Sequence, residues 1–369
     1  MKITIEAQVL NHDRRSGLMT YTEGLINSIN LNDCENKYDL VYYSLTKGKE
    51  HMPGPWTGNI RKNVLKIPDR EFWKRQWLID HLFLPAFLKS RNVNVFHRPN
   101  GYTIPSCKNI FKILTIHDLR TLAVGDQVWK QDIENYKKSL AMVDMCVVVS
   151  ECTKNDLLQH MRVDERKIKV IYLGVDQRFK PAPTDQIRQV REKFGLKEEF
   201  LLSIGSVPRK NIDGIIKGYA GCKYAKDFLL VLSCNQDIVK YKTLSSELGV
   251  GDRVIILDKL TDEDVVALYS ACYCFVFPSL YEGFGLPILE AMQCGAPVIT
   301  SNMSSCPEVS GDAAILINPK KTSDISMAIN SICGDLSLRK SLIEKGFNQS
   351  KLFSWENYWK EIKKIYDMA

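Results

Sequence analysis

Two glutamates stand eight positions apart in YEGFGLPILEAM, residues 281–292, with two glycines and a proline between them. Such a pair, Glu282 and Glu290, could act as acid and base, hold ligand hydroxyls, or be surface charge at a helix start. Pro287 suits a first helical turn, where a missing N–H costs nothing. Gly283 and Gly285 let the backbone pass close to a ligand and leave N–H groups pointing outward. As a helix-dipole partner Glu282 would need no ligand, and nor would an exposed Glu290. But Glu290 lies among Ile288, Leu289, Ala291 and Met292. A carboxylate in an apolar run needs donors, and ligand hydroxyls would supply them.

A second stretch, GSVPRKN (205–211), follows an apolar run and precedes DGIIKGYA. Gly205 permits a tight turn, and Arg209 and Lys210 sit just before a helix. Cations beside a helix N-terminus suit a phosphate or diphosphate. In TIHD (115–118), His117 and Asp118 stand at the end of an apolar run, and His97 ends the preceding run in FHRPN. A lone histidine is more often structural, but two at adjacent strand ends point to a site. Ser16 and Gly17, in the polar loop after the first run, can shape a ligand-facing turn.

Two other stretches compete for attention. Asp262-Glu263-Asp264 matches a metal–diphosphate pattern, yet it follows Thr261 and precedes VVALYSA. It therefore reads as an N-cap with an acidic first turn. REFWKRQWLIDHLFLPAFLKSR (70–91) is basic, aromatic and amphipathic. It reads as a packed helix leading into a strand, with a membrane-surface helix as the alternative.

These residues need strands and helices to position them. Short β-branched runs recur at 2–10, 39–45, 93–97, 112–117, 145–150 and 169–175, then at 200–207, 228–233, 253–258, 274–279, 296–301 and 313–319. Segments of helical length separate most of them. Apolar strands alternating with helices mean parallel sheets covered on both faces. Two series mean two doubly wound α/β domains, 1–176 and 177–352, and 353–369 reads as helix. In such sheets ligands bind beyond the carboxyl ends of the strands, so the expected site is a cleft between the two domains.

Composition narrows the class. The 369 residues are 45% hydrophobic and 25% charged, ordinary for a globular protein. The N-terminus reads as a first strand and not a signal peptide, and no stretch approaches the length of an apolar span. The eleven cysteines form no CxxC pair and no Cys/His cluster, which fits reduced thiols in a cytoplasmic protein. The net charge of +7 is uneven: residues 1–180 hold 28 Lys and Arg against 20 Asp and Glu. That half could face phosphates or an anionic membrane surface. No nucleic-acid motif is present.

The ordered set TIHD, VVVSECTK (147–154), VIYLGVDQRF (170–179), GSVPRKN, FPSLYEGFGLPILEAMQCGAPVITS (277–301) and SSCPEVSGDAA (304–314) resembles family 4 of the GT-B glycosyltransferases, the retaining group-1-type enzymes. The family's Gly-Gly in the first loop is Ser16-Gly17 here, and the arginine often found after its strand glycine is Ser206. The resemblance implies a GT-B fold with the C-terminal helix crossing back to the N-terminal domain. It implies metal-independent transfer of a sugar from a nucleotide diphosphate to an acceptor hydroxyl, with retained configuration and no cofactor. Arg209 and Lys210 would neutralise the leaving diphosphate. The N–H groups of Phe284, Gly285 and Leu286 would bind donor sugar and phosphate, near Gly205. Glu282 would hold sugar hydroxyls, and Glu290 the ribose hydroxyls. The base would lie near Ile256, Leu257 and Lys259. His117 would touch the transferred sugar, and Ser16, Gly17, His97 and Asp118 would face the acceptor.

The wording of these stretches resembles mannosyltransferases of polysaccharide and O-antigen assembly. The expected donor is therefore GDP-mannose, with UDP-sugars as the alternative. The expected acceptor is a glycan or lipid-linked glycan, and the expected location is cytoplasmic, peripheral on the inner face of a membrane. Rival readings are a nucleotide-sugar epimerase of the same architecture and a catalytically silent carbohydrate-binding subunit. A retaining glycosidase, whose two carboxylates flank the bond about 5 Å apart, fits two glutamates on one loop–helix segment poorly.

Overall fold

The computed structural model describes residues 1–11, 16–45, 56, 58–68, 72–101, 103–123 and 130–369. The chain divides into two compact units. One is Met1–Gly174 with Trp355–Ala369, and the other is Val175–Ser354. Each is built on one parallel sheet with a Rossmann-like order.

The first unit carries β1 (Lys2–Glu6), β2 (Lys37–Leu45), β3 (Ile60–Ile67), β4 (Val95–Arg98), β5 (Phe111–Ile116), β6 (Met145–Val148) and β7 (Ile168–Val170). Their order across the sheet is β3-β2-β1-β4-β5-β6-β7, and every pair is parallel. β3 was not among the expected strands. Its sequence, IRKNVLKI, mixes Arg and Lys into the run, and it pairs only with β2. Charge on an edge strand is what blocks pairing with other chains, and it hides the strand from a hydrophobicity reading. The first expected strand, 2–10, ends at Glu6, and Gln8–Asn11 is a 3-10 turn.

The second unit carries β8 (Phe200–Ile204), β9 (Leu229–Ser233), β10 (Val254–Leu257), β11 (Cys274–Phe277), β12 (Val298–Ser301) and β13 (Ala314–Ile317). Their order is β10-β9-β8-β11-β12-β13, again parallel throughout. The four inner strands are almost wholly buried, as expected where helices cover both faces, while the edge strands β10 and β13 are partly exposed. In both sheets the order reverses once, between β1 and β4 and between β8 and β11. These are the points where loops diverge and leave a crevice for ligands.

The stretch 72–90 is helical from Phe72 to Leu78, π-helical over Ile79–Phe83, and helical again over Leu84–Ser90. Residues 70 and 71 of the expected segment lie outside the described residues. The π turn carries Asp80, 2% exposed, whose carboxylate lies 2.8 Å from the buried Arg98. Arg98 also pairs with Glu6. The helix Trp355–Tyr366 belongs to the first unit. It buries Tyr358, Trp359, Ile362, Ile365 and Tyr366, one stripe of an amphipathic helix.

That helix packs on Gly17–Asn32 with no room to spare. The Tyr358 and Tyr21 hydroxyls lie 2.5 Å apart. A Cβ on Gly24 would fall 2.1 Å from the Trp355 ring. Gly24→Ala is therefore expected to lower the unfolding free energy by about 1–3 kcal/mol in urea titrations. An unchanged midpoint would show that the helix contact yields freely.

Candidate functional site

The second unit gathers its chemistry at the β8/β11 switch point. Because β8 and β11 are neighbours, the loops that leave them emerge side by side. The first loop runs from Gly205 through a 3-10 turn at Pro208–Lys210 to the helix Ile212–Ala220. The second runs from Pro278 to the helix Leu286–Gln293. Leu280 N donates to Arg209 O at 2.8 Å, and Ser279 Oγ to the same oxygen at 3.0 Å. Asn211, in the left-handed region, donates Nδ2 to Pro319 O at 2.7 Å. Gly205 has φ +134°, and a Cβ there would meet Lys210 Cγ at 2.6 Å. The glycine leaves the space that the lysine stem fills.

Glu282 lies under this junction and is buried, 5% exposed, so it is not surface charge at a helix start. Its Oε1 accepts from Lys210 Nζ at 2.7 Å and from Ser279 Oγ at 2.5 Å. Its Oε2 accepts from Arg209 Nη1 at 2.5 Å. Lys210 Nζ also stands 4.2 Å from the Phe277 ring centroid. Burial alone would raise the Glu282 carboxyl pKa. Lys210, Arg209 and Ser279 outweigh it and hold the group below its ordinary range. Burial pushes the Lys210 ammonium down; Glu282 opposes this and the neighbouring Arg209 adds to it. Two cations share one carboxylate, so the cluster keeps an unbalanced positive charge that a phosphate would relieve.

The loop after β12 clamps Glu282 from the other side. Glu282 N donates to Ser304 Oγ at 3.0 Å, and Ser305 Oγ donates to Glu282 O and Phe284 O at 2.9 and 2.8 Å. Phe284 is 5% exposed and meets the Phe353 ring edge-on at 5.8 Å. Gly285, φ +100°, caps the helix that begins at Leu286. Glu290 follows, half-buried, with Tyr269 donating its hydroxyl to Oε2 at 3.4 Å. Burial raises the Glu290 pKa to about 7, with Arg178, Tyr269 and Lys210 pulling back. Ile256 and Leu257 end β10, and Lys259 stands beyond it with φ +53°. β10 is two strands from β8, or about 10 Å across the sheet. The Thr261 hydroxyl and Asp264 form a reciprocal capping box, so the DxD stretch is a helix start.

The acceptor-side candidates all belong to the first unit. His97 is a correction. It is fully buried, with Nδ1 2.8 Å from the Tyr366 hydroxyl and Nε2 2.8 Å from Thr115 Oγ1. Burial lowers its pKa to about 3. The C-terminal helix covers this strand end, so His97 is a structural tie and not a ligand contact. Ser16 is the N-cap of Gly17–Asn32, accepting from Met19 N at 3.2 Å, and Gly17 has open space where a Cβ would be. The pair starts that helix, and residues 12–15 of the loop before it lie outside the described residues. His117 is half-buried just past β5. Its Nε2 lies 2.8 Å from Pro99 O, which can only accept, so the proton is on Nε2 and Nδ1 keeps its lone pair. Burial lowers its pKa to about 4. The edge of Tyr21 holds the ring at 4.5 Å between centroids. Asp118 is exposed and accepts from Arg120 N at 3.3 Å.

This arrangement can be set beside known proteins. Residues 185–349 match the model of glycosyl transferases group 1, and residues 35–179 match that of glycosyltransferase family 4. The O-antigen chain mannosyltransferase B of Escherichia coli is 32% identical over 71% of this chain and 71% of its own length. The chain belongs to this glycosyltransferase family. The serotype-specific mannosyltransferase WbdA of Escherichia coli is 30% identical over 66% of this chain. The match covers about a third of that longer protein, 32% of its length. The sucrose-phosphate synthase of Thermosynechococcus elongatus superposes with TM-score 0.80 at 18% identity, covering 100% of this chain and 98% of that one. The fold is GT-B.

Sequence reasoning missed Ser279, which touches Glu282, and Tyr269, which touches Glu290. A serine in FPSLYEG and a tyrosine in an apolar helix carry no signal by type. Ser304 and Ser305 lay in a motif already noted, without an assigned task.

The folded-state pKa of Glu282 lies below the ordinary 4.5. Its stabilisation is therefore complete above that pH and is lost as the pH falls through the folded value. Glu282→Gln leaves two cations without their carboxylate and is expected to cost about 3–5 kcal/mol at pH 7 in urea unfolding. The penalty should shrink at acid pH. An equal penalty at both pH values would contradict the ion cluster.

Proposed function

We propose that the protein is a retaining, metal-independent glycosyltransferase that moves mannose from GDP-mannose to a hydroxyl of a glycan or lipid-linked glycan in surface polysaccharide assembly. The observation that carries the reading is the unbalanced positive charge of Arg209 and Lys210 over Glu282. A nucleotide-sugar's leaving diphosphate carries the matching negative charge. Stabilising it is the main electrostatic task of the transition state, and two cations supply what a divalent metal would otherwise bring. Phe284, Gly285 and Leu286 present backbone to the donor sugar and phosphate. Glu290 takes the ribose hydroxyls, and the base lies by Ile256, Leu257 and Lys259. The proton of the acceptor hydroxyl passes to the departing phosphate, so no side-chain base is needed. His117 is neutral, and its Nδ1 accepts from a sugar hydroxyl. Glu282 acts through Arg209 and Lys210, since those cations and Ser279 occupy both its oxygens. Mannose is the choice because the relatives named above are mannosyltransferases.

The test is a thermal-shift panel of GDP-, UDP- and ADP-sugars followed by turnover. GDP-mannose should stabilise the protein, product should form with chelator present, and NMR should find the donor's anomeric configuration in it. Arg209→Ala should lower kcat by about 10²–10³. Stabilisation by UDP compounds alone would sink the mannose donor. An epimerised nucleotide-sugar, formed without acceptor, would favour the epimerase.

A specific surface favours a membrane-presented acceptor. On the helix 72–90, Trp77 is 58% and Leu82 54% exposed, and the His81 ring stacks on Trp77 at 5.1 Å. Lys74 and Lys89 are exposed on the same helical run. Aromatic and apolar groups flanked by lysines suit the headgroup region of an anionic lipid layer. Among the described residues no helix is long and apolar enough to cross a membrane, so the contact would be peripheral. Flotation with anionic vesicles should bind the protein at low salt and release it at high salt. Trp77→Ala and Lys74→Glu should each weaken binding several-fold, and wild-type behaviour from both would remove this surface.

A further inference from the structure

The segment that enters the second unit, Val175–Phe179, is tied down on all sides. Val175 N donates to Phe353 O at 3.1 Å, and Asp176 Oδ1 accepts from Arg178 N at 3.0 Å. Arg178 Nη1 donates to Asp262 Oδ2 at 2.7 Å, and its Nε lies 3.7 Å from Asp176 Oδ2. The guanidinium stands 5.1 Å from the Phe179 ring centroid. Phe179, 5% exposed, meets Tyr269 edge-on at 6.2 Å. Tyr269, 1% exposed, is itself held against Phe275 at 5.0 Å and gives its hydroxyl to Glu290. A continuous chain of contacts therefore leads from this segment to the carboxylate.

Packing alone does not account for Tyr269. A phenylalanine would fill the space between Phe179 and Phe275 without burying a hydroxyl, which costs unless it is bonded. The hydroxyl faces a carboxylate in an apolar helix, a group that burial drives toward its neutral form. A ribose cis-diol donates two hydroxyl protons to a carboxylate, while a carboxylic acid offers one fewer acceptor site. Something must keep Glu290 ionised for the diol.

We propose that Arg178 and Tyr269 are positioning residues that hold Glu290 as an ionised acceptor for the donor's ribose hydroxyls, with Asp176 opposing them. This rests on the ribose reading of Glu290 given above. The charged and titratable groups acting on Glu290 are Arg178, Tyr269 and Lys210, which favour the carboxylate, and Asp176, which disfavours it. Cys294, on the same helix, is itself pushed up chiefly by burial, to about 12, and stays a neutral thiol. With Glu290 near 7, nucleotide affinity falls as the pH drops below neutrality, by up to about tenfold per pH unit.

The experiment is calorimetric titration of whichever of GDP and UDP binds the wild-type chain, on both sides of pH 7. The same nucleotide lacking its 2′ and 3′ hydroxyls is run alongside. A terminal phosphate also titrates near pH 6, and the dideoxy nucleotide carries that same phosphate, so the difference between the two isolates the ribose. Arg178→Gln and Tyr269→Phe should shift the midpoint of this difference to higher pH, weakening binding several-fold at pH 7 and little at high pH. Asp176→Asn should shift it to lower pH, and Arg178→Lys should restore the wild-type curve. Tyr269→Phe keeps the ring, so it reports on the hydroxyl even if a charge variant misfolds. Midpoints equal to wild type, or weakening uniform across pH, would overturn the inference. Glu290→Gln that keeps the wild-type pH dependence would remove the ribose reading itself. Binding of neither nucleotide would overturn the proposed function and this inference with it.

Discussion

A carboxylate as buried as Glu282 must be compensated on the spot, and the second unit is arranged around that demand. Its partners come from another loop: Arg209 and Lys210 lie more than seventy residues earlier in the chain. Only the adjacency of β8 and β11 lets the two loops meet. The demand also explains Gly205, because any side chain there would occupy the path of the lysine stem. It explains the serines, since Ser304 and Ser305 fix the backbone that carries the carboxylate. Breaking a buried pair is worth several kcal/mol, against about 1 kcal/mol for an ordinary hydrogen bond. The ion cluster therefore sets the loop geometry, and the serine bonds follow it.

The same edge of the sheet stores backbone strain. Asn211, Asp237, Lys259 and Ser304 all have positive φ, and they follow β8, β9, β10 and β12. Asparagine and aspartate tolerate that region; lysine and serine do so at a cost of about 1–3 kcal/mol. Strain held at the carboxyl ends of parallel strands is strain held where a doubly wound sheet binds its ligand. The first unit departs from this pattern. There the two ring nitrogens of His97 are taken by Tyr366 of the C-terminal helix and by Thr115, and the unit's described positive-φ residues outside glycine are Asn92 and Asn109, neither at a strand's carboxyl end.

This difference shows what the sequence could and could not reveal. The strands of the second unit were legible because buried parallel strands are continuous apolar runs. β3 was not, because its lysines serve an edge. Glu282, Arg209 and Lys210 were legible as reactive types in glycine-rich loops beside helix starts. Their union into one cluster was not, since it depends on strand order and not on spacing. His97 misled because position at a strand end says nothing of what covers it, and its cover comes from Tyr366, almost at the end of the chain. Tyr269 could not be seen because its meaning lies in one hydroxyl directed at Glu290.

The two glutamates end in opposite environments. Cations hold Glu282 ionised below the ordinary range, while burial lifts Glu290 to about 7. Two carboxyls driven apart in this way often mark an acid and its partner base or nucleophile. Here the geometry argues otherwise. A nucleophile needs a free oxygen, and both oxygens of Glu282 are taken, one by Lys210 and Ser279 and the other by Arg209. Freeing one would break a buried ion pair, at a cost of several kcal/mol added to the barrier. Glu290 is tied to Tyr269, one helical turn from Leu286, and lies on the same loop–helix segment as Glu282. Neither placement lets the pair flank one glycosidic bond. Their divergence fits the clamp proposed above, whose two ends would take groups of different charge: a diphosphate through the cations above Glu282, and an uncharged diol at Glu290.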